Sequence, residues 1–429
     1  CFYDIVVQVA IIRPGPIVGN MMHPYLQRRQ GREAPTCPHP SLEPVLERTL
    51  GVPLFQEQLL RMAMVAAGFT GSQAEELRRA MGFKRSEKRM KEIEIKLRDG
   101  MTAKGITGEA QETIVLAITS FAKFGFPESH AISFALLAYA STYLKCHHLA
   151  AFTCALLNNQ PMGFYHPAVL VKDAQRHGLR VLPIDVNRSE FDCTVEEGNL
   201  RLGLRYARSV SGGTAHAVAA AKPFRSVEDM AKRVPVLRKD EMTQLAFIGA
   251  LNSIGAKHRR DALWQVARAG RPAGPLLDEA QETSAASPLE MMDACERIAA
   301  DYRGTGVTIG PHPMAYRRDE MKRLGVTAAA DLPRLRNGRT VKVAGCVIVR
   351  QRPGTAKGVV FVSLEDETGI SNVVVMPDQF ERERATLVTE PYLLVEGTLQ
   401  NIDNVIHVQA GRIKRLPPFA ANLPSHDFR

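Results

Sequence analysis

Leu77-Arg78-Arg79-Ala80-Met81-Gly82-Phe83-Lys84-Arg85 opens the most telling stretch of this chain. Nine basic residues fall between Arg78 and Arg98, against three acidic ones, Glu87, Glu92 and Glu94. Leu77, Met81, Met90, Ile93, Ile95 and Leu97 keep a partly helical spacing, which places the cations on ordered elements. Two adjacent arginines on such an element offer planar, permanently charged forks that suit the oxygens of a phosphate or triphosphate. A solvated helix face is the plainer reading of any charge run, and on these residues alone both stay open.

The bulk numbers fit a polyanionic partner. The chain has 429 residues, room for about two to four domains, with 45% hydrophobic content and a formal charge of +10. A sequence pI near 9.3 points the same way, although basic surfaces also serve solubility. The longest apolar run, Ala131 to Leu144, is too short to cross a bilayer, and no signal peptide is visible. No membrane association is therefore expected. The seven cysteines are scattered without a CxxC pair, so the expected setting is a reduced cytoplasm. The chain opens on Cys1-Phe2-Tyr3-Asp4 without Met and reads as a fragment of a larger protein.

Residues 1–165 read as mainly helical, with helical periods over Val45–Leu50, Gln58–Gly68, Ala74–Met81, Ala110–Phe124 and Ile132–Leu157. Beyond Pro161, Val181-Leu182-Pro183-Ile184 and Leu200-Arg201-Leu202-Gly203-Leu204 look like short strands. Residues 166–270 then hold two candidate helix-hairpin-helix elements. One is centred on Val210-Ser211-Gly212-Gly213. The other runs from Leu245 to Leu251, turns through Ile254-Gly255 and restarts at Lys257-His258-Arg259-Arg260. Such hairpins can offer backbone N–H groups to a nucleic-acid phosphate without reading sequence, though Gly turns also join ordinary helices. On this reading Gly212, Gly213, Gly255, Lys257, Arg259 and Arg260 are the DNA-binding candidates. Residues 271–337 read as linker and helical connector. Residues 338–415 alternate with period two over five short segments that suggest a small barrel of OB type, followed by a tail, 416–429. Phe361 and Tyr392 are its main candidates for base stacking, and either could equally be core.

Three further words carry a family resemblance. His130 lies in Gly125-Phe126-Pro127-Glu128-Ser129-His130-Ala131, where a Gly/Pro loop enters a long apolar helix. Val9-Ala10-Ile11-Ile12-Arg13-Pro14-Gly15-Pro16 runs into a rigid turn, and Leu54-Phe55-Gln56-Glu57-Gln58 starts another helix. Together with the arginine pair, these resemble the fingers of a bacterial C-family DNA polymerase, the family of the polymerase III alpha subunit. The resemblance continues collinearly over nearly the whole chain. Arg85-Ser86-Glu87-Lys88-Arg89-Met90, Asn158-Asn159-Gln160-Pro161-Met162-Gly163-Phe164-Tyr165 and Val171-Lys172-Asp173-Ala174-Gln175-Arg176-His177-Gly178 look most like its error-prone, damage-inducible branch. The implied fold is multidomain: mainly α-helical fingers, a helix-hairpin-helix region and a C-terminal OB-fold β-barrel.

The same resemblance implies site roles. Arg78 and Arg79 would contact the incoming triphosphate, assisted by Lys84 and Arg85 unless those two are simply solvated. His130, with Phe124 beside it, would sit near the sugar of the incoming nucleotide and discriminate against ribose. Without the resemblance, His130 would read as a capping or core histidine. DNA synthesis needs divalent metal held by carboxylates, and no DxD-type pair follows an apolar strand here. The resemblance implies that Mg²⁺ is held by palm aspartates outside this chain, which would be inactive alone. Cys146-His147-His148 with Cys154 cannot converge on one helix face, so no zinc site is expected. The family's sliding-clamp segment has only Gly274-Pro275-Leu276-Leu277 as a counterpart, which lacks an aromatic anchor, so clamp contact is expected to be weak or indirect.

The function these readings imply is an error-prone DNA-directed DNA polymerase, a nucleotidyltransferase for damage-induced mutagenesis and translesion synthesis. Its partners would be dNTPs, primer-template DNA and mutasome proteins. Two rivals stand beside it: a replicative alpha subunit, and a non-catalytic DNA-binding module of helix-hairpin-helix and OB units.

Overall fold

The computed structural model describes residues 1–12, 22–80, 87–121, 126–163, 165–269, 287–402, 405–417 and 426–428. The chain divides into two compact units, Cys1–Tyr143 and Leu144–Arg429.

The first unit is helical: α1 (Phe2–Ile11), α2 (Met22–Arg29), α3 (Glu43–Leu46), α4 (Gln56–Ala67), α5 (Gly71–Ala80), α6 (Glu87–Ala103), α7 (Gly108–Phe121) and the start of α8 (Glu128–His147). Its main core joins Leu59, Met62 and Ala66 of α4 to Leu77 of α5, Ile93, Leu97 and Met101 of α6, and Ile114 and Ile118 of α7. The i, i+4, i+8 spacing of Ile93, Leu97 and Met101 sets the inward face of α6. Ile95 falls off that face and is exposed. Gln58 stitches the entry to α4: its side chain accepts from the Leu54 and Phe55 N–H groups and donates to Val45 O and Thr49 Oγ1. The helix expected over Ile132–Leu157 is two, α8 and α9 (Leu149–Asn158), parted at His148, which leaves helical geometry at φ −136°, ψ 47°.

The second unit continues with α10 (Pro167–Arg176), β1 (Val181–Leu182), β2 (Thr194–Glu196) and β3 (Asn199–Arg201). β3 lies between β1 and β2 in a small sheet, and the sequence reading missed β2. Then come α11 (Gly212–Ala221), α12 (Val227–Arg233), α13 (Lys239–Phe247), α14 (Arg259–Ala269), α15 (Ala294–Thr305) and α16 (Arg318–Arg323). One apolar core runs from Leu157 to Val307 and unites α10 to α15 with the small sheet, while Met321 of α16 packs with Ala344 and Cys346.

The barrel comprises β4 (Thr340–Gln351), β5 (Val360–Glu365), β6 (Ile370–Val375), β7 (Tyr392–Ile402) and β8 (Val405–Arg415), with α17 (Pro377–Thr389) between β6 and β7. Ladders β4–β5, β5–β6, β6–β8, β8–β7 and β7–β4 close the ring. Alternate residues such as Val360, Val362 and Leu364 fill its interior. Gly345 lets β4 fold over β5, because a Cβ there would meet Glu365 O at 2.5 Å. A short β9 (His426–Phe428) pairs with the end of β4. Helical fingers, a helix-hairpin-helix region and an OB-type barrel are thus the observed architecture.

A buried charged cluster lies between α10, the connector around His312 and the end of β5. Arg176 Nη2 stands 2.8 Å from Glu365 Oε1, and His312 Nε2 is 3.7 Å from Glu365 Oε2. Glu365 Oε1 makes no hydrogen bond, so its tie to Arg176 is ionic and off the hydrogen-bonding angle. His312 Nδ1 accepts from the Met314 N–H, which leaves Nε2 facing the carboxylate. Lys172, 5% exposed, donates to Gln175 Oε1 and Gly310 O.

Burial pushes the Lys172 ammonium down from 10.5 to about 8, against the opposing pull of Glu365 and Asp301. Between those two values the unfolded chain binds more protons than the folded one, so stability rises with pH across that window. The gain from this group should be roughly 2–3 kcal/mol between pH 7.5 and 10.5. It should vanish in Lys172→Met. Urea unfolding at both pH values checks this, and equal pH slopes for the two proteins would sink it.

Candidate nucleotide and nucleic-acid site

α5 carries the arginine pair. Thr70 and Gln73 form a reciprocal cap, with Thr70 N–H donating to Gln73 Oε1 at 2.8 Å and Gln73 N–H to Thr70 Oγ1 at 3.4 Å. Ala74, Leu77 and Ala80 face the core, so Arg78 and Arg79 are turned outward on the last turn. Arg78 grips Glu75 with Nε and Nη2, both at 2.7 Å, and Arg79 Nε reaches the same carboxylate at 3.0 Å. The two guanidinium groups hold the Glu75 carboxyl down at about 2. The arginine side chains remain 51% and 70% exposed. Surface pairs of this kind are weak, at about 0–1 kcal/mol, so a polyphosphate could displace Glu75.

Other cations of the run are paired too. Arg89 and Lys96 lie 3.6 and 3.5 Å from Glu76, and Arg98 bridges Glu94 and Glu112. Lys84, Arg85 and Phe124 lie outside the described residues, as do Arg13-Pro14-Gly15-Pro16 and Gly274-Pro275-Leu276-Leu277.

His130 sits in the first turn of α8. That turn is anchored by the Glu128 N–H donating to Glu57 Oε2 and by the Tyr3 hydroxyl donating to Glu128 Oε1, both at 2.8 Å. Burial, then Glu128, pushes the Tyr3 phenol far up, which keeps it a donor. His130 is exposed, flanked edge-on by Phe126 at 5.2 Å and Phe134 at 4.6 Å. With Pro127, Ser129 and Ser133 it lines a shallow depression. It is neither a core nor a capping histidine. None of the described contacts joins it to Arg78 or Arg79.

In the second unit, Ser211 caps α11 by accepting from the Thr214 N–H. Gly212 and Gly213 are exposed at the first turn, and a Cβ on either would meet nothing within 4 Å. Glu241, missed by the sequence reading, braces this hairpin. It is fully buried and accepts from the Ser211 N–H, the Arg238 N–H and the Thr214 hydroxyl. Burial alone would push its carboxyl up, but those donors and the Arg238 charge outweigh that and hold it below the usual range.

The second hairpin turns at Gly255, whose φ of +98° suits glycine. Lys257 is exposed, while its N–H donates to Asp261 Oδ2 at 2.8 Å. Arg259 Nη2 donates to Asp301 at 2.7 Å and Arg260 Nη2 to Glu296 at 2.6 Å, so both tie α14 to α15. In the barrel, Tyr392 is 1% exposed, and burial and the adjacent Cys346 thiol push its phenol far up. It is core and no stacking platform, whereas Phe361 is exposed on β5.

Among the described residues, the acidic side chains of Asp366 and Asp4 are spent on other partners. Asp366 is spent on the Thr368, Gly369 and Ala329 N–H groups and on Arg318. Asp4 pairs with Arg29. Among the described residues, no three His, Cys, Asp or Glu side chains are grouped to hold an ion. No described helix is long and apolar enough to cross a membrane.

A helical unit is followed here by a helix-hairpin-helix region and an OB-type barrel. Three family profiles agree in order: the finger domain of the bacterial DNA polymerase III alpha subunit over 1–105, a helix-hairpin-helix motif over 178–262, and an OB-fold nucleic acid binding domain over 333–416. An error-prone DNA polymerase of Methylococcus capsulatus is 44% identical over 456 residues, covering 100% of this chain and 43% of that protein. One from Alkalilimnicola ehrlichii is 46% identical, covering 100% and 42%. Error-prone DNA polymerase 2 of Rhizobium meliloti is 42% identical, covering 99% and 41%. The chain belongs to the bacterial C-family DNA polymerases, in their error-prone branch. It spans about two-fifths of the length of these relatives.

Proposed function

We propose that this chain supplies the fingers, helix-hairpin-helix and OB portion of an error-prone DNA-directed DNA polymerase acting in damage-induced mutagenesis and translesion synthesis. The observation that carries this reading is identity of 42–46% running along essentially the whole chain to proteins named error-prone DNA polymerase. Arg78 and Arg79 bind the triphosphate of the incoming dNTP, aided by Lys84 and Arg85, and neutralise charge that develops on the leaving pyrophosphate. His130 and Phe124 border the sugar. Gly212, Gly213, Gly255 and Lys257 meet the DNA backbone, with Arg259 and Arg260 stiffening the hairpin behind them. The barrel follows single-stranded template mainly by charge, with Phe361 as its stacking residue. Residues outside this chain hold the Mg²⁺ ions, whose chemistry is activation of the primer hydroxyl and neutralisation of the phosphates.

The test joins the upstream portion of the first-named relative ahead of Cys1 and follows primer extension. Template-directed incorporation is expected from the chimaera and none from the chain alone. A folded chimaera that binds primer-template yet incorporates nothing, beside an active relative, would overturn the reading.

A further inference from the structure

The exposure of α8 does not fit its composition. Ala131 and Ala135 are buried in the cluster around Val6, Val7 and Phe55, but from Leu136 to Tyr143 every residue is exposed. Consecutive residues step by about 100° around a helix, so this stretch is open to solvent on all sides. Leu136, Leu137, Tyr139 and Tyr143 are each 51–61% exposed. Between Glu128 and Lys145 the helix carries no acidic residue, Lys or Arg. Ser133 Oγ donates to Ser129 O at 3.0 Å and Thr142 Oγ1 to Ala138 O at 2.8 Å, so these hydroxyls are satisfied by the helix itself. Phe2 of α1, also exposed, lies edge-on to Tyr139 with ring centres 6.4 Å apart and widens the apolar surface. A helix that is apolar all round belongs in an interior, and a continuous exposed apolar patch marks an interaction site.

The place of α8 beside the nucleotide site says what covers it. His130, Phe134 and Leu137 fall at i, i+4 and i+7, one stripe that starts at the candidate sugar-binding residue. Ile132, Leu136, Tyr139 and Tyr143 form the neighbouring stripe at i, i+4, i+7 and i+11. Under the proposed function the Mg²⁺ ions are held outside this chain, and the residues that hold them must come up to the nucleotide at the first turn of α8. A body that arrives there meets the two stripes next. The relatives have enough chain to form one, since this chain covers only 41–43% of their length.

We propose that the apolar surface of α8 from Ile132 to Tyr143, widened by Phe2, is the seat of the upstream, Mg²⁺-holding portion of the polymerase, which meets it with an apolar surface of its own. This inference rests on the proposed function above.

The test compares hydroxyl-radical oxidation of the chain alone with that of the chimaera carrying the upstream portion of the first-named relative. Met291, 67% exposed, is the internal reference. Oxidation of Tyr139 and Tyr143 is expected to fall by about fivefold or more in the chimaera, as for side chains at the core of an interface. Leu136→Glu with Leu137→Glu should restore it there, because an unpaired carboxylate is not retained in an apolar contact. Both positions are exposed in the chain alone, so its fold tolerates the exchange. Equal oxidation in chain and chimaera overturns the proposal, as does protection that survives the two glutamates. Oxidation that is already low in the chain alone and rises on dilution gives the face to a second copy and overturns it too. Primer extension by the same chimaera keeps the two readings apart. Incorporation beside a freely oxidised α8 sinks the docking face alone. A protected α8 in a folded chimaera that binds primer-template yet incorporates nothing sinks the polymerase reading alone.

Discussion

Replacing Arg78 and Arg79 together by Ala in the chimaeric polymerase is expected to lower kcat/KM for the incoming dNTP by about 100- to 1000-fold. Affinity for primer-template should change by less than about threefold, because a pair of contacts is a small part of a phosphate-dominated interface. The magnitude follows from placement. Both side chains leave the outward face of α5, while Leu77 and Ala80 hold that helix to the core. Ala is an excellent helix residue, so the fold should survive the exchange. The present partner, Glu75, sits on the same exposed helix face, so its hold on the arginines is screened by water. Glu75→Gln separates a ligand role from a solvated face: it frees both forks and should leave incorporation intact or raised. If the arginines were only a solvated face, the double exchange would shift melting slightly and leave incorporation untouched, and a steady-state assay reads the difference.

What could be read without coordinates was whatever depends on local repetition. The helical period of Gln58–Gly68 and the two-residue alternation of Val359–Leu364 survive as α4 and β5 because each buries one face against a neighbour. The break at His148 was illegible: apolar spacing runs through it with no Gly or Pro to mark it. α17 was passed over, although Pro377 at its first turn and Asp378 beside it are fair start signals. Tyr392 fits the strand pattern on either face, and what buries it is the connector: Met314, Met321 and Val326 pack with it on the outer face of the barrel. The sequence reads Arg259 and Arg260 as DNA-binding candidates, and their ties to Asp301 and Glu296 are not visible in it because those acids lie 42 and 36 residues away. The cluster around Glu365 was hidden for the same reason. Its partners come from α10 and the connector, and a buried charge leaves no trace in periodicity when its partner is distant in the chain.

That cluster supplies the largest stability effect expected outside the nucleotide site. Arg176→Ala should destabilise the second unit by about 3 kcal/mol, within the range for leaving a buried charge without its partner. Glu365 is the reason. Its side chain is 4% exposed and the Arg176 side chain 19%, so water cannot readily replace the lost guanidinium. The carboxylate would be left with His312 at 3.7 Å and the Lys172 ammonium as its remaining cationic neighbours. Glu365→Gln removes the stranded charge, so the double variant should recover to within about 1 kcal/mol of the parent. That non-additivity distinguishes a charge relation from lost packing, which would leave the two changes additive. Urea denaturation of the four proteins reads both outcomes. A loss under about 0.5 kcal/mol for Arg176→Ala, the range of an ordinary surface substitution, would mean that solvent reaches Glu365 after all.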